Sequence, residues 1–133
     1  MGKKEQSSNE AKSILLVEDD ALLVDIYSTK LQLSGFEVRV VDNGDKVFAE
    51  VKKKKPDLVL LDIVLPHMDG WDILQRLNTM NEMKNVPIVI LSNLGQKEEV
   101  EKGLRLGAVK YLIKAYYTPS EIVKEVTKFV EPL

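Results

Sequence analysis

The chain has 133 residues, 44% apolar and 30% charged, a size and balance that suit one globular domain and exclude general disorder. Its net charge of −2 argues against nucleic acid as an obligatory partner, because gripping a phosphate backbone needs a basic surface. The absence of cysteine rules out a disulfide framework, a thiolate metal site and a thiol nucleophile, and suits a reducing cytoplasm.

Residues 1–12 are polar, with no apolar signal core, so a flexible tail is expected there and a folded domain over 13–133. Gln6 stands where a myristoylation signal needs Ser or Thr. The first apolar run, Ile14 to Val17, is strand-sized and ends in Glu18, Asp19 and Asp20. Leu22, Leu23, Ile26, Tyr27 and Leu31 then mark a helical stripe, with Asp20 suited to cap its start and Gly35 to stop it. A second run, Phe36 to Val41, precedes a helix through Val47, Phe48 and Val51. The basic run Lys52 to Lys55, followed by Pro56, reads as a solvated helix end at the negative pole of the macrodipole.

The third run, Leu58 to Leu61, ends on Asp62, and Ile73, Leu74 and Leu77 mark the helix after it. Trp71 is expected to pack at that helix's start, and His67 to be an exposed loop residue. Ile88 to Leu91 ends on Ser92 and leads to a helix through Val100 and Leu104 that Gly107 ends. Val109 to Ile113 ends on Lys114, with Tyr116 and Tyr117 exposed beyond it. Thr118 to Glu121 spells a T-x-x-E capping box with Pro119 at the first helical position; Ile122, Val123, Val126, Phe129 and Val130 form the apolar face that follows. All apolar runs are too short to span a bilayer, so no membrane insertion is expected.

Strand and helix alternate five times, which predicts a doubly wound α/β fold: a five-stranded parallel sheet, helices on both faces and right-handed crossovers. The runs are nearly continuous and β-branched, as in strands covered on both sides. Function in such sheets collects at the carboxyl ends of the strands. With strands in the flavodoxin-like order 2-1-3-4-5, Glu18, Asp19 and Asp62 stand at adjacent strand ends. Two carboxylates 4 Å apart repel by ~4 kcal/mol at an effective dielectric near 20, so such a cluster must protonate or bind a cation. Oxygen-only ligands suit magnesium. Asp62 is placed to attack phosphorus, with Lys114 as a point charge and Ser92 as a hydroxyl donor for the transferred oxygens.

The motifs I-L-L-V-E-D-D at 14–20, L-L-D-I-V-L-P-H-M-D-G at 60–70, I-V-I-L-S at 88–92 and G-A-V-K-Y-L-I-K at 107–114 resemble the receiver domain of the response regulators of bacterial two-component systems. The resemblance implies Asp62 as phosphoacceptor and Asp19, Glu18, Asp62 and the Val64 carbonyl as ligands of Mg2+, with Mn2+ an alternative. It implies Lys114 and Ser92 as the remaining site residues, and Ser92 and Tyr111 as the switch pair. The implied donor is a sensor histidine kinase or histidine phosphotransfer protein. Output would pass to a downstream protein, or into a phosphorylation-dependent homodimer, through the fourth helix, fifth strand and fifth helix, around Val100, Leu104, Tyr111 and Ile122. No enzyme activity is expected beyond self-catalysed phosphorylation and slow dephosphorylation.

The family usually carries Lys-Pro with a cis bond in the fifth loop, whereas Ala115 follows Lys114 here. A cis bond before a non-proline costs ~2.5–4 kcal/mol against ~0.5–1 before proline, so either the bond is trans and the loop is rerouted, or the fold absorbs the cost. Asn93 is expected to influence acyl-phosphate lifetime. A phosphohydrolase with an aspartate nucleophile would need a second acid two residues after Asp62, where Val64 stands instead. A flavin carrier would need a hydroxyl- and glycine-rich loop where Glu18, Asp19 and Asp20 repel phosphate. A receiver-shaped scaffold without phosphorylation is opposed by the acids, hydroxyl and lysine together. The sequence closes soon after the fifth helix, so no output domain is expected within it.

Overall fold

In the computed structural model, residues 10–66 and 68–132 are described; most of the expected tail, and His67, lie outside them. Strand β1 (Ser13–Val17) leads to helix α1 (Ala21–Leu33), β2 (Glu37–Val41), α2 (Gly44–Lys53) and β3 (Leu58–Leu61). A hairpin of β4 (Val64–Leu65) and β5 (Met68–Asp69) follows, then α3 (Gly70–Thr79), β6 (Ile88–Ser92), α4 (Lys97–Arg105), β7 (Lys110–Ile113) and α5 (Pro119–Thr127). The five long strands are all parallel and lie in the order β2-β1-β3-β6-β7. This is the 2-1-3-4-5 order expected.

Strand parity divides the core. Leu15, Val17, Val59, Leu61, Ile88 and Ile90 face α2, α3 and α4, packing with Val47, Val51, Ile73, Leu74 and Leu77. Ile14, Leu16, Leu58, Leu60, Val89 and Leu112 face α1 and α5, packing with Tyr27, Leu31, Ile122 and Val126. Each of these side chains, fully withdrawn from water, contributes roughly 1.5–3 kcal/mol.

The helix ends follow their sequence signals. Asp20 accepts from Leu22 N and Leu23 N, and Gly35 takes φ 99° where α1 stops. Thr118 and Glu121 cap each other's backbone at α5, and Gly107 takes φ 115° beyond α4. Lys52 and Lys53 occupy the last turn of α2. Gly70 opens α3 because a Cβ there would lie 2.1 Å from the Ile63 carbonyl oxygen.

Several expectations need correction. β2 is an edge strand paired with β1 alone and is not covered on both faces; its Val40 is exposed. Leu22, Leu104 and Phe129 are exposed rather than on buried stripes: Leu22 lies in the first turn of α1, Leu104 in the last turn of α4, and Phe129 beyond the end of α5. In α4 the buried position is Gly103, pressed on Ile90 and Tyr111. Tyr117 is half-buried against the α1–α5 core, whereas Tyr116 is exposed as expected. Trp71 packs against the core at the start of α3, as expected. The β4–β5 hairpin was not anticipated, because two-residue strands carry no periodic signal.

Candidate functional site

The same alternation that sorts the core also assembles the site. Carried one residue past β1, β3 and β7, it aims Glu18, Asp62 and Lys114 toward one side of the sheet's carboxyl edge. Backbone bonds fix the register: Asp62 N donates to Val17 O at 3.0 Å, and Glu18 N to Val41 O at 3.1 Å.

One carboxylate oxygen each from Glu18, Asp19 and Asp62 lie within 4.8 Å of one another. Lys114 Nζ stands 2.7 Å from Glu18 Oε1 and donates to Asp62 Oδ2 at 2.9 Å. Asp62 Oδ1 accepts from Val64 N at 3.0 Å. Glu18 Oε2 accepts from the amides of Asp19 and Asp20 at 3.2 and 3.3 Å. Glu18 Oε1 is buried and, despite its ion-pair distance to Lys114, lacks an aligned hydrogen bond. Glu18 and Asp62 are almost wholly enclosed, whereas Asp19 is exposed. All of these groups, with Val64, Asn93 and Leu94, line a cleft of about 370 Å3 open to solvent.

Burial pushes the Glu18 carboxyl above its ordinary value; Lys114 opposes the shift and the Asp62 charge adds to it. Burial works against the Lys114 charge as well, but pairing with Glu18 and Asp62 outweighs it and holds the ammonium above its usual range. Three acids facing one cation leave negative charge to compensate. Clustered hard oxygens, one of them a buried Glu18 oxygen without a hydrogen bond, fit a magnesium-type ion.

Ser92 and Tyr111 lie on the opposite parity, toward α4. Ser92 is fully buried, is not part of the cleft lining, and accepts from Leu94 N through Oγ at 3.1 Å. Tyr111 is buried and its hydroxyl donates to the Leu94 carbonyl. Leu94 is thus held by both its N–H and its C=O, one by each member of the expected switch pair. This contact was not read from the sequence, since Leu94 has no chemistry of its own to mark it. Of the two expectations for Ala115, the trans bond holds: the described residues contain no cis peptide, and Lys114–Tyr116 forms a 3-10 turn from which Lys114 reaches Asp62.

A parallel α/β sheet carrying an enclosed aspartate, two companion acids and a lysine at its carboxyl edge defines the aspartyl phosphoacceptor class of signalling domain. The chain belongs to the response regulator receiver domain family, whose match covers residues 14–127. It is 34% identical over 114 residues to the probable transcriptional regulator ycf27 of Pyropia yezoensis, covering 86% of this chain and 45% of that protein. The chain therefore spans about half the length of the curated relatives it matches. Among solved structures, a response regulator of Chloroflexus aurantiacus superposes with TM-score 0.83 at 28% identity, covering 90% of this chain and 98% of that one. A Mn2+-bound response regulator, Rcp1, gives TM-score 0.80 at 25% identity, covering 92% and 96%.

Proposed function

We propose that Asp62 accepts a phosphoryl group from the phosphohistidine of a sensor histidine kinase or histidine phosphotransfer protein. An Asp62 oxygen bonds to phosphorus as the phosphorus–nitrogen bond breaks, and the imidazole leaves with the electron pair and takes up a proton. The observation that carries this is the holding of Asp62 from two sides, Oδ1 by Val64 N and Oδ2 by Lys114, beside Glu18 and Asp19. Such preorganisation supplies most of what phosphoryl transfer asks of a protein.

Glu18, Asp19, Asp62 and the Val64 carbonyl would hold Mg2+ or Mn2+, which when bound neutralises charge on the transferred oxygens. Lys114 shields the same oxygens from the other side. Ser92 turning toward the phosphoryl group frees the Leu94 amide and opens space for Tyr111 to shift, biasing two packings of the β6–α4 region. The α4-β7-α5 surface carries the result to a protein partner or to a second copy. The domain works in the cytoplasm and has no catalytic turnover beyond its own phosphorylation and dephosphorylation.

Incubation with acetyl phosphate and Mg2+ is expected to add one phosphoryl mass to the wild type and none to Asp62→Asn, read by intact mass spectrometry. A wild-type protein that stays unmodified would rule the proposal out.

A further inference from the structure

Helix α4 is thinly anchored. Its single buried residue is Gly103, Val100 is half-buried, and Leu104 is 46% exposed. By contrast α3 buries Ile73, Leu74 and Leu77 completely. With so little apolar surface to hold it against the sheet, the placement of α4 depends on what grips it from the side.

Two side chains of α3 do so. The Trp71 ring receives Lys102 of α4, whose Nζ stands 4.6 Å from the ring centroid. At the other end, the Asn78 side-chain amide donates to the Leu106 carbonyl, a C-terminal carbonyl that no longer has a helical partner. The fit there is close: a Cβ on Gly107 would lie 2.0 Å from Asn78 Nδ2. On its inner side α4 meets Tyr111, against which Gly103 packs, and Tyr111 in turn donates to the carbonyl of Leu94, whose N–H is held by Ser92. So α3 grips one flank of the helix while Tyr111 of the switch pair touches the other.

We infer that Trp71 and Asn78 are positioning residues: together they set the resting placement of α4 and with it the threshold at which a change at Ser92 and Tyr111 displaces the helix. A partly exposed cation–π contact and an exposed hydrogen bond each bias an equilibrium by only roughly two- to tenfold. A brace of that strength keeps α4 in place at rest and yields to a modest push. The inference rests on the proposal that α4 belongs to the output surface.

The test is amide hydrogen exchange on the full chain, comparing wild type with Asn78→Ala, Lys102→Met and Lys102→Arg. Residues 97–105 are expected to exchange up to roughly tenfold faster in Asn78→Ala and Lys102→Met, with β3 and β6 unchanged. Lys102→Arg keeps the cation over the ring and is expected to restore the wild-type rate and the wild-type Trp71 emission maximum. Unchanged α4 exchange in both disruptive variants would overturn the inference. So would equal acceleration throughout the sheet, or an arginine variant that behaves like the methionine one. A parallel wild-type sample with acetyl phosphate and Mg2+ reports on Asp62 by its mass. Failure of phosphorylation is thereby distinguished from failure of the brace, which is read without any phosphodonor.

Discussion

Lys114 spans two carboxylates, 2.7 Å from Glu18 Oε1 and 2.9 Å from Asp62 Oδ2. A tethered cation in that position competes with any metal for the same negative charge. Replacing it as Lys114→Met is expected to tighten Mg2+ or Mn2+ binding by roughly tenfold, about 1.4 kcal/mol, while slowing phosphoryl uptake. Isothermal titration with MnCl2 checks the first half, and weaker binding than wild type would contradict it. The acids, hydroxyl and lysine were all legible in the sequence because each ends an apolar run. That Ser92 lies outside the cleft lining was not anticipated, since it ends a strand as the acids do. The half-buried state of Tyr117 was missed as well, because a turn has no period to say which aromatic folds inward.

Among the elements, α5 shows how a local motif becomes stability. Thr118 Oγ1 accepts from Glu121 N at 3.2 Å and Glu121 Oε1 from Thr118 N at 2.8 Å. The backbone amide of Thr118 holds the Glu121 carboxyl below its ordinary value of 4.5. A depressed folded-state value means the unfolded chain binds the proton more readily. The contribution is therefore present above pH 4.5 and lost as the pH falls through the lower folded value. Glu121→Gln is expected to remove that part of the acid dependence, measured as urea midpoints from pH 6 to pH 3; superimposable profiles would refute it. The opening of α3 is less forgiving. Gly70→Ala drives a methyl into the Ile63 backbone and is expected to destabilise by at least ~2–3 kcal/mol, read from chemical denaturation. A loss below ~0.5 kcal/mol, the range of an ordinary surface change, would show that the hairpin yields freely. The existence of the helices and the capping of α1 and α5 were legible, because both are set by residues near one another in the chain; the N-caps Asn43, Asp69 and Gln96 of the other three helices were not read from the sequence. Exposure at Leu22, Leu104 and Phe129 was not, because a stripe does not say where the supporting sheet stops.

For the molecule as a whole, folding forces like charges together. Glu18 and Asp62 are held at the carboxyl edge by a sheet whose strands pack apolar side chains on both faces. Any ion that relieves their repulsion binds the folded state and not the unfolded chain. At about ten times its dissociation constant such an ion adds roughly 1.4 kcal/mol. For a domain of this size that raises the thermal midpoint by about 5 °C. Asp19→Asn should largely lose the Mg2+ effect, and EDTA should reverse it in the wild type; a midpoint indifferent to Mg2+ would mean the cluster holds no divalent ion.

Sequence alone determined the five strand–helix units, the starts of α1 and α5, and the residue types waiting at each strand end, because periodicity and capping act over a few neighbouring residues. It also carried the motifs of the receiver family. Tertiary structure decided which strand ends meet, how Lys114 reaches an aspartate 52 residues away without the usual proline, and how α3 grips α4. These depend on strand order and on backbone paths in space, which fix contacts between side chains whose separation along the chain says nothing of their distance.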